Sequence, residues 1–291
     1  THIIRGDEWI SSTPRHLLIH QALGIEPPEY VHVPLILGKD KAKLSKRHGA
    51  TSALEYRDLG FLPDAVFNFM CLLGWSPGDD TEVMPREEIV RRFSIDRIND
   101  SPATFDSEKL EWMNGVYIRN MSEDQLITEL LPFMERPEAE GGLPDSVERP
   151  IDRDYFKQVI PLVHERLKLL TEGTDTLDFF FADNVNPAAE DLPGRKMDAE
   201  MTERALVAAL ELCKTVTSFE PEDLEAEYRA LAEKIEMKPG QLFSPIRVAT
   251  TGKSFAPPLF DTMAAIGQDR CVERIEKAIG ILRSAAQSSA E

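Results

Sequence analysis

The spacing of apolar positions changes once, near residue 50, and the change divides the chain into two kinds of structure. Before that point the apolar residues come in short runs. Residues 2–5 read as a brief strand, and Val31-His32-Val33-Pro34-Leu35-Ile36-Leu37 is a run of buried-strand length. Between them, Ser12-Thr13-Pro14 supplies a hydroxyl cap and a first-turn proline. Leu17, Leu18 and Ala22 carry that helix to a stop at Gly24. Strand, helix and strand in this order make one βαβ unit. After residue 51 the spacing is helical. It predicts helices over 53–59 and 63–73, one opened by Pro85, one over 107–113 closed by Asn114-Gly115, and an amphipathic one over 122–135. Residues 136–150 hold three prolines and two glycines and read as a linker. Helices over 152–170 (bent at Pro161), 202–219, 221–236 and 268–285 follow, with Phe179-Phe180-Phe181 as core.

Composition narrows the classes. A chain of 291 residues is long enough for two or three compact units. No apolar run reaches the roughly 18 residues of a membrane span. The first residues lack a signal-peptide pattern, and no initiator methionine is present, so a cytoplasmic piece of a longer chain is expected. Cys71, Cys213 and Cys271 are scattered without metal-ligand spacing, so neither zinc nor a disulfide framework is expected. A formal charge of -18 argues against general nucleic-acid binding. The deficit is uneven, however: residues 1–60 carry 8 basic against 7 acidic side chains, and residues 61–291 carry 25 against 44. A polyanionic partner must therefore be met by local clusters.

One such cluster is Lys39-Asp40-Lys41-Ala42-Lys43-Leu44-Ser45-Lys46-Arg47-His48-Gly49, at the carboxyl end of the second strand run. Open α/β sheets place ligands there. Two readings fit it. The bland one is a solvated surface loop. The sharper one is a phosphate clamp, in which lysines meet phosphate oxygens, Ser45 and backbone N–H groups add hydrogen bonds, and Gly49 lets the chain turn back. It is not a Walker A loop, because the GxxxxGK[ST] spacing is absent.

Lys43-Leu44-Ser45-Lys46-Arg47 resembles the KMSKS loop of class I aminoacyl-tRNA synthetases, with leucine for methionine and arginine for the final serine. Ile4-Arg5-Gly6-Asp7-Glu8-Trp9-Ile10-Ser11-Ser12-Thr13-Pro14, Leu72-Leu73-Gly74-Trp75 and Phe105-Asp106-Ser107-Glu108-Lys109-Leu110 narrow the resemblance to bacterial glutamyl-tRNA synthetases, over the whole chain. The resemblance implies a mainly α chain. Residues 1–60 would end a Rossmann-like catalytic domain, 61–135 would be a helical stem-contact region, and 136–190 and 191–291 would be two anticodon-binding subdomains. It implies ATP, with Mg2+ bound through the nucleotide, glutamate and tRNA(Glu) as partners of a monomer. Lys46, with Lys43 as partner and Leu44, Ser45 and Arg47 in support, would hold the ATP phosphates. Glu8, Trp9 and Ile36 would lie against the adenosine, and Arg5 would meet the glutamate carboxylate. Arg166, Arg247 and Leu259 would contact anticodon bases. Lys168, Arg195, Lys196, Arg247 and Lys253 would meet RNA phosphates. The plain alternatives are a surface ion pair for Arg5, packing for Trp9, a solvated helix charge for Arg166 and core for Leu259.

Two departures bear on this. The HIGH signature that precedes the lysine loop in the family is not found here, since His2-Ile3-Ile4 is not it, so at most half of the active site is expected in this chain. The helical part is also acidic. Besides an enzyme that acts only as a longer polypeptide, the sequence leaves open a non-catalytic tRNA-binding module and a helical interaction protein.

Overall fold

Strands β1 (His2–Gly6) and β2 (Glu29–Val33) pair in parallel with Arg5 opposite His32, and helix α1 (Thr13–Leu23) makes the crossover. The structure, a computed structural model, describes residues 1–44, 52–194 and 196–288. The expected βαβ unit is present, and Gly24 closes α1 at φ 67°, a conformation that suits glycine. Its start differs from expectation. Ser12 already has helical dihedrals, and its hydroxyl donates to the Trp9 carbonyl at 2.9 Å, so a 3-10 turn over Asp7–Ser12 runs straight into the helix. Pro34 also splits the apolar run at 31–37, because proline brings no N–H to a ladder. Residues Ile36–Leu37 form a separate strand, β3, parallel to β4 (Ala103–Thr104).

The chain folds as two compact units, Thr1–Met121 with Lys168–Leu170, and Ser122–Leu167 with Thr171–Glu291. In the first, α2 (Ala53–Asp58), α3 (Pro63–Gly74), α4 (Arg86–Arg92) and α5 (Ser107–Arg119) follow the βαβ unit. Phe69, Leu73, Leu110 and Met113 bury the facing stripes of α3 and α5, and Phe69 meets Phe105 edge-on at 5.1 Å. The expected stop at Asn114-Gly115 does not occur. Asn114 is wholly buried inside α5, accepting from the Leu62 N–H at 2.8 Å and donating to the Lys168 carbonyl at 2.5 Å. Tertiary bonds thus override a residue pair that would end an isolated helix. Removing that amide takes the acceptor from the buried Leu62 N–H and a donor from the Lys168 carbonyl. Asn114→Ala is expected to lower the unfolding free energy by about 2–3 kcal/mol. Urea titration followed by tryptophan fluorescence checks this, since Trp9, Trp75 and Trp112 all lie in this unit.

The second unit is helical among the described residues. Helix α6 (Glu123–Met134) opens with a reciprocal cap between Ser122 and Gln125. Residues 136–150 are not a linker: Leu143 is fully buried, and Arg149 donates to the carbonyls of Leu143, Val147 and Arg136 at 2.7, 3.0 and 3.2 Å. The proline-rich stretch is instead a packed loop whose carbonyls are collected by one guanidinium. The helix expected over 152–170 ends early. Helix α7 (Arg153–Val159) gives way to 3-10 turns at Ile160–Leu162 and His164–Arg166, because Pro161 offers no N–H to continue the ladder. Helices α8 (Glu172–Phe181), α9 (Ala199–Thr215), α10 (Pro221–Lys234), α11 (Pro239–Thr251), α12 (Leu259–Ile266) and α13 (Gln268–Ser288) complete it. Helix α9 begins three residues ahead of the expected position, because Asp198 caps it through the Met201 N–H at 2.8 Å. Ala205, Leu206, Ala209, Leu210 and Cys213 form its buried stripe, and α9 packs on α13 and α11.

Arg274 of α13 is only 1% exposed. It donates to the Thr250 carbonyl at 2.7 Å, to the Phe179 carbonyl at 2.8 Å and to the Ala182 carbonyl. Burial, and then the charge of Arg270, pull its pKa down to about 10, so it stays cationic at neutral pH. Among the described residues no helix is long and apolar enough to cross a membrane.

Candidate functional site

In the first unit the chemistry gathers at the carboxyl end of β1. Arg5 leaves that strand and passes its guanidinium between two aromatic rings, 5.0 Å from the centroid of Tyr30 and 5.6 Å from that of Trp9. Its Nε donates to His32 Nε2 at 3.2 Å, Nη2 donates to Thr13 Oγ1 at 2.8 Å, and Nη1 lies 3.2 Å from His16 Nδ1. Arginine only donates, so each histidine turns an unprotonated nitrogen toward it. No carboxylate pairs with Arg5 in the ion pairs of the described residues. Three of its five N–H groups are taken, leaving one on each terminal nitrogen. The result is a cation held by neutral acceptors, with a two-pronged end available to an anion.

The basic loop begins as a tight turn out of β3. The Gly38 N–H donates to the Ala42 carbonyl at 2.8 Å, Lys41 takes φ 61°, and the Leu44 N–H returns to the Ile36 carbonyl at 2.9 Å. Lys43 bridges back to Leu37, and its ammonium stands 3.6 Å from Glu8. Lys39 is drawn to Glu108 at 2.7 Å and to Asp106, and the Glu108 hydrogen bond raises its pKa. The structure therefore brings Arg5, Glu8, Trp9 and Lys43 into one neighbourhood. Ile36 and Leu44 point elsewhere: both are partly buried against the cluster of Tyr56, Phe61 and Phe69. Ser45, Lys46, Arg47 and Gly49 lie outside the described residues, as does Arg195.

In the second unit two arginines converge on one carbonyl. Arg166, from the 3-10 turn after α7, and Arg247, from α11, each donate to the Ala256 oxygen at 3.2 Å, and Arg247 also donates to Pro257 at 2.9 Å. Burial, and then the charge of Arg166, lower the Arg247 pKa. No carboxylate pairs with either in the ion pairs of the described residues; carbonyl dipoles hold both, and the Phe255 ring also faces Arg166. The turn that carries Ala256 is built firmly. Gly252 ends α11 at φ 75°, and the Thr251 hydroxyl donates to the Arg247 carbonyl at 2.7 Å while accepting from the Lys253 N–H at 3.1 Å. Lys253 pairs with Asp178 at 2.9 Å, so it is not a bare phosphate contact. A cleft of about 310 Å³ opens here, and its lining is of mixed charge: Arg166 and Lys253 face it together with Glu172 and Asp175, beside Thr176 and Phe255. Leu259, which the resemblance puts at an anticodon contact, is 5% exposed at the start of α12. Phe255, which the sequence did not single out, is 81% exposed beside Arg166. A lone aromatic before two prolines carries no signal that separates surface from core.

A larger cleft of about 640 Å³ in this unit surrounds Tyr155 and Arg270. Its cation is consumed internally, by the carbonyls of Ile266 and Phe180, each at 2.8 Å, and by the Tyr155 hydroxyl at 2.7 Å. Among the described residues no group of three or more His, Cys, Asp or Glu side chains could hold a metal ion.

Comparison with known proteins matches both units. A family described as an anticodon binding domain matches residues 125–279, and the catalytic domain of class I tRNA synthetases (E and Q) matches residues 1–112. A glutamate–tRNA ligase of Roseiflexus castenholzii is 46% identical over 98% of the chain, and one of Dehalococcoides mccartyi is 41% identical over 97%. The chain spans 56% and 57% of their lengths. Among solved structures, a glutamate tRNA ligase from Elizabethkingia meningosepticum in complex with its amino acid superposes with a TM-score of 0.79 at 28% identity. That match covers 97% of this chain and 57% of the other. A glutamate-tRNA synthetase from Elizabethkingia anophelis gives 0.74 at 27% identity, over 96% and 57%. With one unit matching the catalytic domain and the other the anticodon binding domain, the chain belongs to the glutamyl-tRNA synthetase family of class I tRNA synthetases.

Proposed function

We propose that this chain is the part of a glutamate–tRNA ligase that supplies the ATP-phosphate loop and reads the tRNA. The longer protein would activate glutamate with ATP and transfer it to the 3' end of tRNA(Glu). The observation that carries this reading is the pair of arginines, Arg166 and Arg247, fixed on the Ala256 carbonyl without a carboxylate between them. Such a pair, outside the ion pairs of the described residues in a chain of net charge -18, suits an anionic ligand with donor-seeking edges, as unpaired RNA bases present. In the first unit, Arg5 would take the glutamate carboxylate on its two remaining N–H groups. Lys43 and Lys46 would neutralise charge on the leaving pyrophosphate, with Leu44, Ser45 and Arg47 completing the loop. Glu8 and Trp9 would flank the adenosine. Ile36 would act through the backbone of β3, since its side chain is committed to the core. Mg2+ would arrive with the nucleotide.

The roles follow the chain order: residues 1–60 for ATP and glutamate, 61–135 for the acceptor stem, 136–190 and 191–291 for the anticodon. They are functional stretches rather than folding units. The side chains of Ile4, Ile10, Leu18, Ile19 and Leu23 in the βαβ unit are each more than half exposed. That apolar surface supports catalysis by the longer protein, whose additional length would cover it. A monomer in the cytoplasm is part of the same reading.

Two measurements test it. Filter binding of this chain to tRNA(Glu) and to an anticodon-swapped version should favour the former, and equal affinity would sink the anticodon role. Arg166→Gln should erode that preference by about 1–3 kcal/mol, the worth of a bidentate base contact. Pyrophosphate exchange by this chain alone should be absent, and robust exchange would overturn the assignment of catalysis to the longer protein.

A further inference from the structure

We propose that Phe255 is a stacking platform for an unpaired nucleobase of the bound RNA. The proposal rests on the reading of the second unit as an anticodon binder, and it adds an aromatic contact to the arginines of that reading. Three observations carry it. Phe255 is the most exposed of the large hydrophobic side chains among the described residues, at 81%. That exposure belongs to a fixed turn: its neighbour Ala256 is buried and accepts hydrogen bonds from two guanidiniums, and Pro257 and Pro258 follow. The Arg166 guanidinium lies 5.6 Å from the ring centroid, so a cation already covers part of the ring and the rest meets solvent.

A ring presented in this way gains by being covered, and the charge around it selects what covers it. An apolar peptide side chain would strip water from Arg166 and Arg247 without compensating their charge. An RNA base brings a flat π-face to the ring and carries phosphates that answer the arginines. The cleft of about 310 Å³ beside the ring leaves room for one planar heterocycle, and Glu172, Asp175 and Thr176 in its wall can accept from base amino groups. The arginines would then read polar base edges, while Phe255 supplies sequence-tolerant stacking.

The test uses the whole chain and a synthetic anticodon stem-loop with the glutamate anticodon, with affinity read by fluorescence anisotropy. Phe255→Tyr and Phe255→Trp should bind like the parent. Phe255→Ala and Phe255→Leu should bind about 10-fold more weakly. Since the side chain is exposed, none of these changes should shift the thermal midpoint. Replacing loop nucleotides one at a time by abasic sites should reveal one position at which Phe255→Ala costs nothing further, which identifies the stacked base. If Phe255→Ala binds as tightly as the parent while an anticodon-swapped stem-loop binds more weakly, the stacking proposal is wrong and the anticodon reading stands. Equal loss with alanine at every abasic position would likewise overturn it. If the parent does not distinguish the swapped stem-loop, or binds neither, the underlying reading falls and the proposal with it.

Discussion

Replacing Arg274 by methionine is expected to lower the unfolding free energy of the second unit by about 3–5 kcal/mol. Methionine roughly preserves the apolar volume, so the loss comes from electrostatics. Phe179 and Ala182 lie at the carboxyl end of α8, and Thr250 lies in the last turn of α11. Their carbonyls carry the negative ends of two helix dipoles, and the guanidinium of Arg274 answers both. Without it, three buried oxygens lose their donor. The desolvation already evident in a pKa of about 10 works in the opposite direction. Measurement decides which effect wins. Since no tryptophan lies in this unit, far-UV circular dichroism should show an early helical transition in the variant that tryptophan fluorescence does not report. A variant as stable as the parent would mean that the cost of burying the charge offsets its three hydrogen bonds. Arg274→Lys should fall between the two, because one ammonium cannot span both helix ends.

The second large effect is expected at Arg5. In a protein of the relatives' full length, Arg5→Lys should reduce kcat/KM for glutamate by roughly 100- to 10,000-fold, chiefly through KM. Two charge-assisted hydrogen bonds are lost, at about 1.5–3 kcal/mol each. Lysine keeps the charge, but its ammonium cannot bond His32, His16 and Thr13 and still present a fork to a carboxylate. Glutamate-dependent pyrophosphate exchange in the presence of tRNA measures it. A variant with unchanged KM would show that Arg5 organises the turn after β1 rather than binding the substrate.

Much of this architecture was legible in the sequence where one local signal decided the outcome. Pro14 and Gly24 bracket α1, Ser122 and Gln125 open α6, and the apolar stripe of α9 has helical spacing. The expectations that failed did so where distant residues hold the decision. Asn114-Gly115 reads as a stop until Leu62 and Lys168 engage the amide, and residues 136–150 read as a linker until Arg149 gathers their carbonyls. At the candidate sites, the sequence marked Arg5, Arg166 and Arg247 by motif. It did not single out Phe255, which is exposed four residues before the buried Leu259. Burial is a property of the assembled chain, and neither residue type nor spacing records it there.

The placement of Lys168–Leu170 with the first unit has a consequence for the order of events during synthesis. Leu169 packs on that unit's core, the Leu170 N–H donates to the Gly60 carbonyl at 3.0 Å, and the Lys168 carbonyl accepts from Asn114. A ribosome that has released residue 121 has therefore not released everything that unit needs. Its core closes only after residue 170 emerges, when the segments of α6 and α7 are already outside. The first unit to begin folding thus waits for sequence that lies inside the second.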